Sequence, residues 1–485
     1  MMEIEGQKSS AGMNVAKICV FLAVGYLILA CCLYGLMGEQ LKFRESAGNL
    51  EMSEPEYTAT ELVQGTTIEQ IVTLQIQQLE EISVLWETYA RTNLGTVSVE
   101  VYDLQEGALL MKGRFDASEI GEHTITTVRA EEPIDGIAGK SILLRLSADS
   151  NPGSAVSPQL CSSAGKDGWL LSINGNAIDG MLCFSASGRD HIWTGLHYWQ
   201  FVGLGLIILL GYLLTSAFRL KYGQTAILFQ FIFAVKKYRF LIKQLVSRDF
   251  KVKYKRSILG VMWSLLNPLL TMAVQYVVFS NLFRFDIENY QVYLLIGIVM
   301  FNYFSEACGM ALTSIVGNVS LITKVYVPKY LYPLTRILSS LVNLLFALIP
   351  LLLLAVISGL YPKKSWILVL FPLVCLAIFC LGLGMLLAAA MVFFRDTQFL
   401  WGVLSMVWMY LTPIFYPESI ITDSVAWVLN INPLYYYITF VRTCMMSGVS
   451  PEPRTYAICI GFALASLILG ATVFKKTQDR FLLYL

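Results

Sequence analysis

Eight stretches of this chain carry almost no charge for about the 20 residues that a helix needs to cross the hydrocarbon of a bilayer. They are Val15 to Met37, Tyr198 to Phe218, Leu259 to Phe283, Val292 to Val316, Leu334 to Leu360, Trp366 to Phe394, Phe399 to Phe415 and Tyr456 to Phe474. Inside lipid each backbone N–H and C=O must find its partner within the segment, so such runs fold as helices. With 56% hydrophobic and 14% charged residues and a mean hydropathy of +0.61, the composition lies far from that of soluble domains. The sequence thus predicts an α-helical integral membrane protein of about eight spans. The first run is longer than a usual signal core and lacks a small-residue cleavage pattern, so it reads as a retained anchor.

Charge is segregated along the chain. Residues 38–197 carry 23 acidic and 10 basic side chains, whereas residues 219–256 carry 11 basic and one acidic. Lys and Arg near span ends mark the cytoplasmic side, which places residues 219–256 and both termini inside and residues 38–197 outside. Lys363 and Lys364 then fall outside, against that rule. The acidic block alternates at period two in Gly95 to Leu104, Ala108 to Phe115, His123 to Ala130 and Ser141 to Ala148, with Gly, Asn and Asp between. That pattern predicts an extracytoplasmic antiparallel β-sandwich. Cys161 and Cys183 are its only cysteines and could close a disulfide in an oxidising compartment. The other cysteines lie mostly in apolar runs and read as small hydrophobes.

Residues 225–246 place Ile227, Leu228, Phe231, Ile232, Val235, Tyr238, Leu241, Ile242 and Leu245 on one helical face and Lys236, Lys237, Arg239, Lys243 and Gln244 on the other. This reads as an amphipathic helix in the cytoplasmic headgroup region. The basic run Arg248 to Arg256 continues it into a span, which favours a membrane-surface element over a nucleic-acid patch.

The chemistry-bearing residues form no catalytic or metal-ligand constellation. His123, His191 and His197 are unpaired in sequence and read as ordinary strand or surface residues. Gly139-Lys140-Ser141 looks like the end of a phosphate-binding loop, but Ile134 stands where the upstream glycine is needed. The chain is thus read as carrying no catalytic residue, metal or cofactor of its own. ATP and Mg, if used, belong to a separate subunit.

Five motifs carry a resemblance to a known family. RDFKVKYKRSILGVMWSLLNPLL (Arg248 to Leu270), LITKVYVPKYLYPL (Leu321 to Leu334), FFRDTQFLW (Phe393 to Trp401), TPIFYP (Thr412 to Pro417) and NPLYYYITFVR (Asn432 to Arg442) resemble the permease subunit of type-2 ABC exporters of cell-surface polysaccharides, the O-antigen and teichoic acid export family. The likeness covers roughly residues 225–485. The first 220 residues depart from it, because a typical member begins at the amphipathic helix.

The resemblance implies a six-span protomer that dimerises around a central conduit and docks two cytoplasmic ABC ATPase subunits. The cargo would be a polysaccharide with a polyprenyl lipid carrier. Coupling to the ATPase would fall on Asp249, Lys251, Lys255 and Arg256 and on a short helix within Asn318 to Pro328, with Asn318 and Lys324, ended by Pro328. Arg395 and Asp396 would cap a cytoplasmic loop. Tyr416 to Pro453 resembles the family's outer re-entrant gate helices.

A sugar polymer needs flat ring faces with hydrogen-bonding tips beside them, which Tyr and Trp supply. Conduit candidates are Tyr276, Phe279, Tyr293, Phe301, Tyr303, Phe304, Trp408, Tyr410, Phe415, Tyr435, Tyr436 and Tyr437; for any one of them, core packing or the interfacial aromatic belt is the competing reading. Glu306, beside Asn302, is the acid well inside a core span, and such a residue marks either function or a helix-packing hydrogen bond.

The domain reading is therefore a cytoplasmic N-terminus and span (residues 1–37), the β-domain (38–197), a span (198–218), the basic interface segment (219–258) and a six-helix permease core (259–485) with an outer gate around 416–453. The β-domain reads as a binding module for glycan or an assembly partner. Two rival readings are a membrane glycosyltransferase, for which cytoplasmic carboxylates are too few, and an ion-coupled secondary transporter, for which internal repeats are missing.

Overall fold

The computed structural model describes residues 2–162, 169–221, 227–255, 257–282, 287–325 and 327–484. It divides into two compact units, Glu39–Tyr198 and Met1–Gly38 with Trp199–Leu485.

The first unit is built from antiparallel strands: β1 (Phe43–Glu45), β2 (Tyr57–Thr58), β3 (Thr67–Thr73), β4 (Gln78–Glu87), β5 (Thr96–Asp103), β6 (Leu109–Asp116), β7 (Ile125–Asp135), β8 (Ser141–Ala148), β9 (Ser157–Cys161), β10 (Leu170–Ile173), β11 (Asn176–Ile178), β12 (Met181–Leu182) and β13 (Phe184–His191). The four alternating segments expected from the sequence are β5, β6, β7 and β8. One sheet runs β11-β10-β3-β8-β5-β6; the other runs β1-β13-β4-β9-β12, with β7 beside β4 and β2 beside β9. Both sheets feed one buried cluster. Val97, Val99 and Val101 of β5 and Ile142, Leu144 and Leu146 of β8 share it with Ile82, Val84 and Trp86 of β4. The Trp86 indole N–H donates to Thr126 Oγ1 at 2.7 Å, so its burial leaves no orphan donor. Strand β9 is buried at all five positions, which is why it shows no alternation in sequence.

The disulfide that Cys161 and Cys183 could have closed is not formed. Both are buried free thiols, with Cys161 Sγ donating to Met181 O at 3.7 Å. Burial pushes the Cys183 thiol up to about 12, with Cys161 beside it adding to the shift. A protonated thiol packs as a small hydrophobe, and the cluster around the pair supplies that setting. The histidines are ordinary partners: His123 Nδ1 meets Gln159 Nε2, His191 Nε2 meets Asp135 and His197 Nδ1 meets Trp193 O.

The second unit is helical: α1 (Met2–Lys42) and, after the one-turn α2 (Trp193–Leu196) of the first unit, α3 (Tyr198–Lys221), α4 (Ile227–Lys237), α5 (Arg239–Tyr254), α6 (Met262–Leu282), α7 (Tyr290–Leu312), the one-turn α8 (Val319–Ile322), α9 (Leu331–Ile357), α10 (Leu370–Phe393), α11 (Thr397–Leu411), α12 (Asp423–Ile431), α13 (Pro433–Arg442) and α14 (Pro453–Thr477). Among the described residues seven helical segments are long and apolar enough to cross a membrane, lying in α1, α3, α6, α7, α9, α10 and α14. The eighth expected span, Phe399 to Phe415, is instead the 15-residue α11. It stops at Thr412, whose successor Pro413 has no N–H to continue the ladder. At 1.5 Å per residue α11 is about 22 Å long, short of a hydrocarbon core about 30 Å thick.

Helices α10 and α14 touch backbone to backbone. A Cβ placed on Gly470 would lie 1.9 Å from Gly382 O, and one on Gly382 would lie 2.2 Å from Ser466 C. Ser466 Oγ uses the approach to donate to Phe379 O at 2.9 Å. Small residues bring membrane helices together in this way because no hydrophobic drive acts between them in lipid.

The amphipathic segment is two helices rather than one, breaking at Tyr238, whose φ of −99° and ψ of 15° leave the helical region. On α5 the buried face is Ile242 and Leu245, and Ile242 packs with Val327, Leu331 and Leu334. The helix expected up to Pro328 is shorter than the sequence suggested. It is α8 alone, preceded by a 3₁₀ turn over Val316–Asn318 and ended six residues before that proline.

Candidate functional site

Two polar constructions inside the helical unit stand out, one at each end of α7. The first surrounds the TPIFYP and NPLYYYITFVR motifs, which the fold brings together. Where α11 ends, the chain needs hydrogen-bond donors for carbonyls that no longer sit in a helix. Arg442 Nη1 donates to Pro413 O at 2.7 Å, and Nη2 to Ile414 O at 3.1 Å and Tyr293 O at 3.2 Å. The Tyr290 hydroxyl donates to Phe415 O at 2.6 Å and that of Tyr293 to Tyr416 O at 2.8 Å. Asn432 links the same break to α13: its Nδ2 donates to Thr412 Oγ1, while its Oδ1 accepts from Trp408 Nε1 and Leu434 N. Arg442 is 7% exposed, and its guanidinium carbon lies 3.3 Å from the centroid of the Tyr293 ring. Gly297 makes room for it, since a Cβ there would sit 3.1 Å from Nη2. Unpaired carbonyls at membrane depth cost several kcal/mol each, so this cage is what permits the irregular turn.

The second construction joins α5 to the spans. The Asp249 carboxylate, 5% exposed, accepts from Arg336 Nη1 at 2.9 Å, Arg248 Nη2 at 3.2 Å and Ser339 Oγ at 3.2 Å. It therefore faces α9, which corrects its expected place on a partner-facing surface: two guanidinium groups on its own chain draw it inward. Arg248 Nη2 also donates to Asn318 Oδ1 at 3.3 Å, tying α5 to the turn before α8. Asn318 is itself buried, so it too faces inward. Lys251, Lys255 and Lys324 remain exposed. Arg256 lies outside the described residues. Arg395 and Asp396 are exposed in the turn between α10 and α11.

Beyond Asp249, Lys253 Nζ reaches Glu306 Oε1 on α7 at 2.7 Å, and Asn343 Nδ2 of α9 donates to the same oxygen at 2.7 Å. The Tyr254 hydroxyl in turn bonds Asn343 Oδ1 at 3.2 Å and Ser264 Oγ. Glu306 thus makes the helix-packing hydrogen bond to Asn343, and it also borders a cavity of 430 Å³ between α5, α6, α7 and α9. Trp263, Asn267, Asn302 and Tyr303 line it as well. Tyr303 is 3% exposed and its hydroxyl has no hydrogen-bond partner among the described residues, a deficit worth about 1–3 kcal/mol.

The expected conduit separates into two sets. Phe301, Tyr303, Phe304, Phe415 and Tyr437 are buried and cannot offer a ring face to a polymer. Phe304, for instance, packs edge-on against Trp401 and Trp408 with centroids 5.8 and 5.0 Å away. Packing won at these positions because α7 is surrounded by α6, α9 and α10. Tyr293 belongs to the carbonyl cage. Tyr276, Phe279, Trp408, Tyr435 and Tyr436 keep part of their surface and Tyr410 most of it. Phe279 stacks on Phe415, with centroids 5.4 Å apart and planes within 7°.

Sequence reasoning missed Arg442, Arg336 and Asn343. Each carried a signal, a polar group in an otherwise apolar helix.

A bundle of long apolar helices with a basic amphipathic helix lashed to its side, and a broken helix closed by a buried arginine, is the architecture of a transporter's membrane subunit. Residues 240–446 match the family of ABC-2 type transporters. An O-antigen export system permease protein RfbA from Myxococcus xanthus is 30% identical over 249 residues, 50% of this chain and 95% of that protein. A protein of the same name from Klebsiella pneumoniae is 29% identical over 244 residues, 50% of this chain and 93% of its own length. The chain belongs to the permeases of type-2 ABC polysaccharide exporters.

Proposed function

We propose that the chain is the membrane subunit of an ATP-driven exporter that moves a lipid-linked O-antigen-like or teichoic-acid-like polymer out of the cytoplasm. Two copies form the conduit, and a separate ABC ATPase binds beneath α5. The β-unit Glu39–Tyr198 is a sandwich on the outer side that meets the emerging glycan or an assembly partner, and the broken α11 with α13 serves as the sixth element of the core.

The observation that carries this reading is the linkage through α5. Exposed Lys251 lies two residues from both Asp249 and Lys253, and exposed Lys255 just past the end of α5; Asp249 and Lys253 in turn bond into α9 and α7. A force applied by a partner at the exposed lysines and Lys324 has a direct bonded route to the spans. The relatives are named as O-antigen export permeases, which supplies the cargo class.

The test is reconstitution of the full chain in vesicles with and without its ATPase. ATP-dependent appearance of polymer on the far side is expected. Delivery that proceeds without any ATPase would sink the proposal, and so would failure of the pair to copurify.

A further inference from the structure

We infer that the cavity between α5, α6, α7 and α9 is a binding subsite for one or two neutral sugar residues. Its volume of 430 Å³ falls within the range of about 300–1,000 Å³ typical of small-molecule pockets. The inference rests on the export reading and deepens it by locating a place where the polymer is held.

The lining decides the ligand class. Among the described residues Lys253 is its cation, and that charge is already met by Glu306 at 2.7 Å. A phosphate or pyrophosphate would face the Glu306 carboxylate without a surplus of positive charge, and anion sites are built from several cations or backbone N–H groups. What the cavity offers instead is neutral hydrogen-bonding capacity with no partner on the protein. Among the described residues the amides of Asn267 and Asn302 and the indole N–H of Trp263 make no hydrogen bond, nor does Glu306 Oε2 accept one.

Donors and acceptors are thus mixed around a void, and Trp263, 44% exposed, presents a ring. A pyranose offers a ring of hydroxyls that both donate and accept, and apolar C–H faces for an indole. Glu306 Oε1 is fixed by Asn343 and Lys253, so that carboxylate is preorganised. Because Lys253 sits on α5, a sugar hydroxyl on Glu306 is felt one bond away from the helix assigned to the ATPase.

The test uses the full-length protein in phosphatidylcholine nanodiscs, free of maltoside detergent. The probes are the methyl glycosides of glucose, galactose, mannose, rhamnose and N-acetylglucosamine, read by calorimetry and saturation-transfer NMR. Saturable binding of at least one glycoside near about millimolar strength is expected. Asn302→Ala and Trp263→Leu should each weaken it about tenfold, the ordinary loss for one hydrogen bond or stacking partner. Asn302 is exposed, so its variant is the one least exposed to a folding defect, and a thermal melt checks each protein.

Binding of inorganic pyrophosphate in place of every glycoside would overturn the assignment, as would a water-filled void that takes up none of them. Glycoside affinity that survives both substitutions also overturns it. Failure of ATP-driven export with glycoside binding intact sinks the export reading and leaves the subsite standing; normal export by the Asn302→Ala, Trp263→Leu double variant sinks the subsite alone.

Discussion

Arg442 shows how one side chain can license an irregular backbone. It is buried with carbonyl oxygens and a tyrosine ring as partners, and its charge is stabilised by dipoles rather than by a carboxylate in hydrogen-bonding contact. Arg442→Leu removes three hydrogen bonds and should cost about 3 kcal/mol or more. The expected readout is a fall of several degrees in the melting temperature of the purified protein. Arg442→Lys should recover only part of it, since a lysine cannot fork to Pro413 and Ile414; a melt unchanged in Arg442→Leu would refute the cage. The buried thiols give a second prediction at this scale. Thiolate is the reactive form, Cys183 is pushed up to about 12 and Cys161 is shielded by burial, so iodoacetamide at about pH 8 should leave both unmodified until the protein is denatured. The masses of the peptides that carry them should then show two alkylated thiols rather than a bridge. Residues were the least legible scale. Glu306 announced itself as an acid in a span and Asn343 as an amide in one, but that the two meet with Lys253 was invisible because three helices must pack first. The conduit list failed at Phe301, Phe304 and Tyr437 for the converse reason: hydropathy does not say which face of a membrane helix meets protein.

Among the elements, the α10–α14 contact is the tightest. Gly470→Leu would drive a side chain into the backbone of Gly382, and the two helices would have to part. Loss of folded protein from the membrane fraction is expected, with Gly461→Leu, whose Cβ would meet nothing within 4 Å, as the neutral comparison. The joint between α5 and α9 makes a different prediction. Asp249→Asn leaves the mostly buried Arg336 guanidinium, with the half-exposed Arg248 beside it, without a counter-charge, and breaking such a pair costs up to about 3 kcal/mol. ATPase-coupled transport should drop more than tenfold while the β-unit keeps its circular dichroism; full coupling in the variant would remove Asp249 from the route. Element existence was readable wherever a period or a long run declared it, as in β5, β8, α7 and α10. The end of α11 was not, although Pro413 stands there, because the apolar run continues through Ile414 and Phe415. Hydropathy cannot see that Arg442, far along the chain, supplies the donors that allow the helix to stop.

For the molecule as a whole, the membrane class and the acidic β-unit followed from charge segregation and alternation, and the exporter family followed from five motifs spread over its second half. The relation between the two compact units left no pattern in the chain. Ion pairs of the β-unit predict its response to acid. The Glu61 carboxyl is held below its ordinary value by the Arg91 hydrogen bond and then by Gly153 N–H, and Glu100 by Lys112 and then Tyr102. Carboxylates lowered on folding stabilise above their unfolded value and lose that contribution as pH falls through the folded one. The sheet signal should therefore melt at lower temperature below about pH 4, with the helical signal lagging behind. The shortness of α11 reaches further than topology. On the export reading proposed above, a helix about 8 Å shorter than the hydrocarbon would thin the lipid beside it, and a hydrophilic passenger on that side would have less oil to cross.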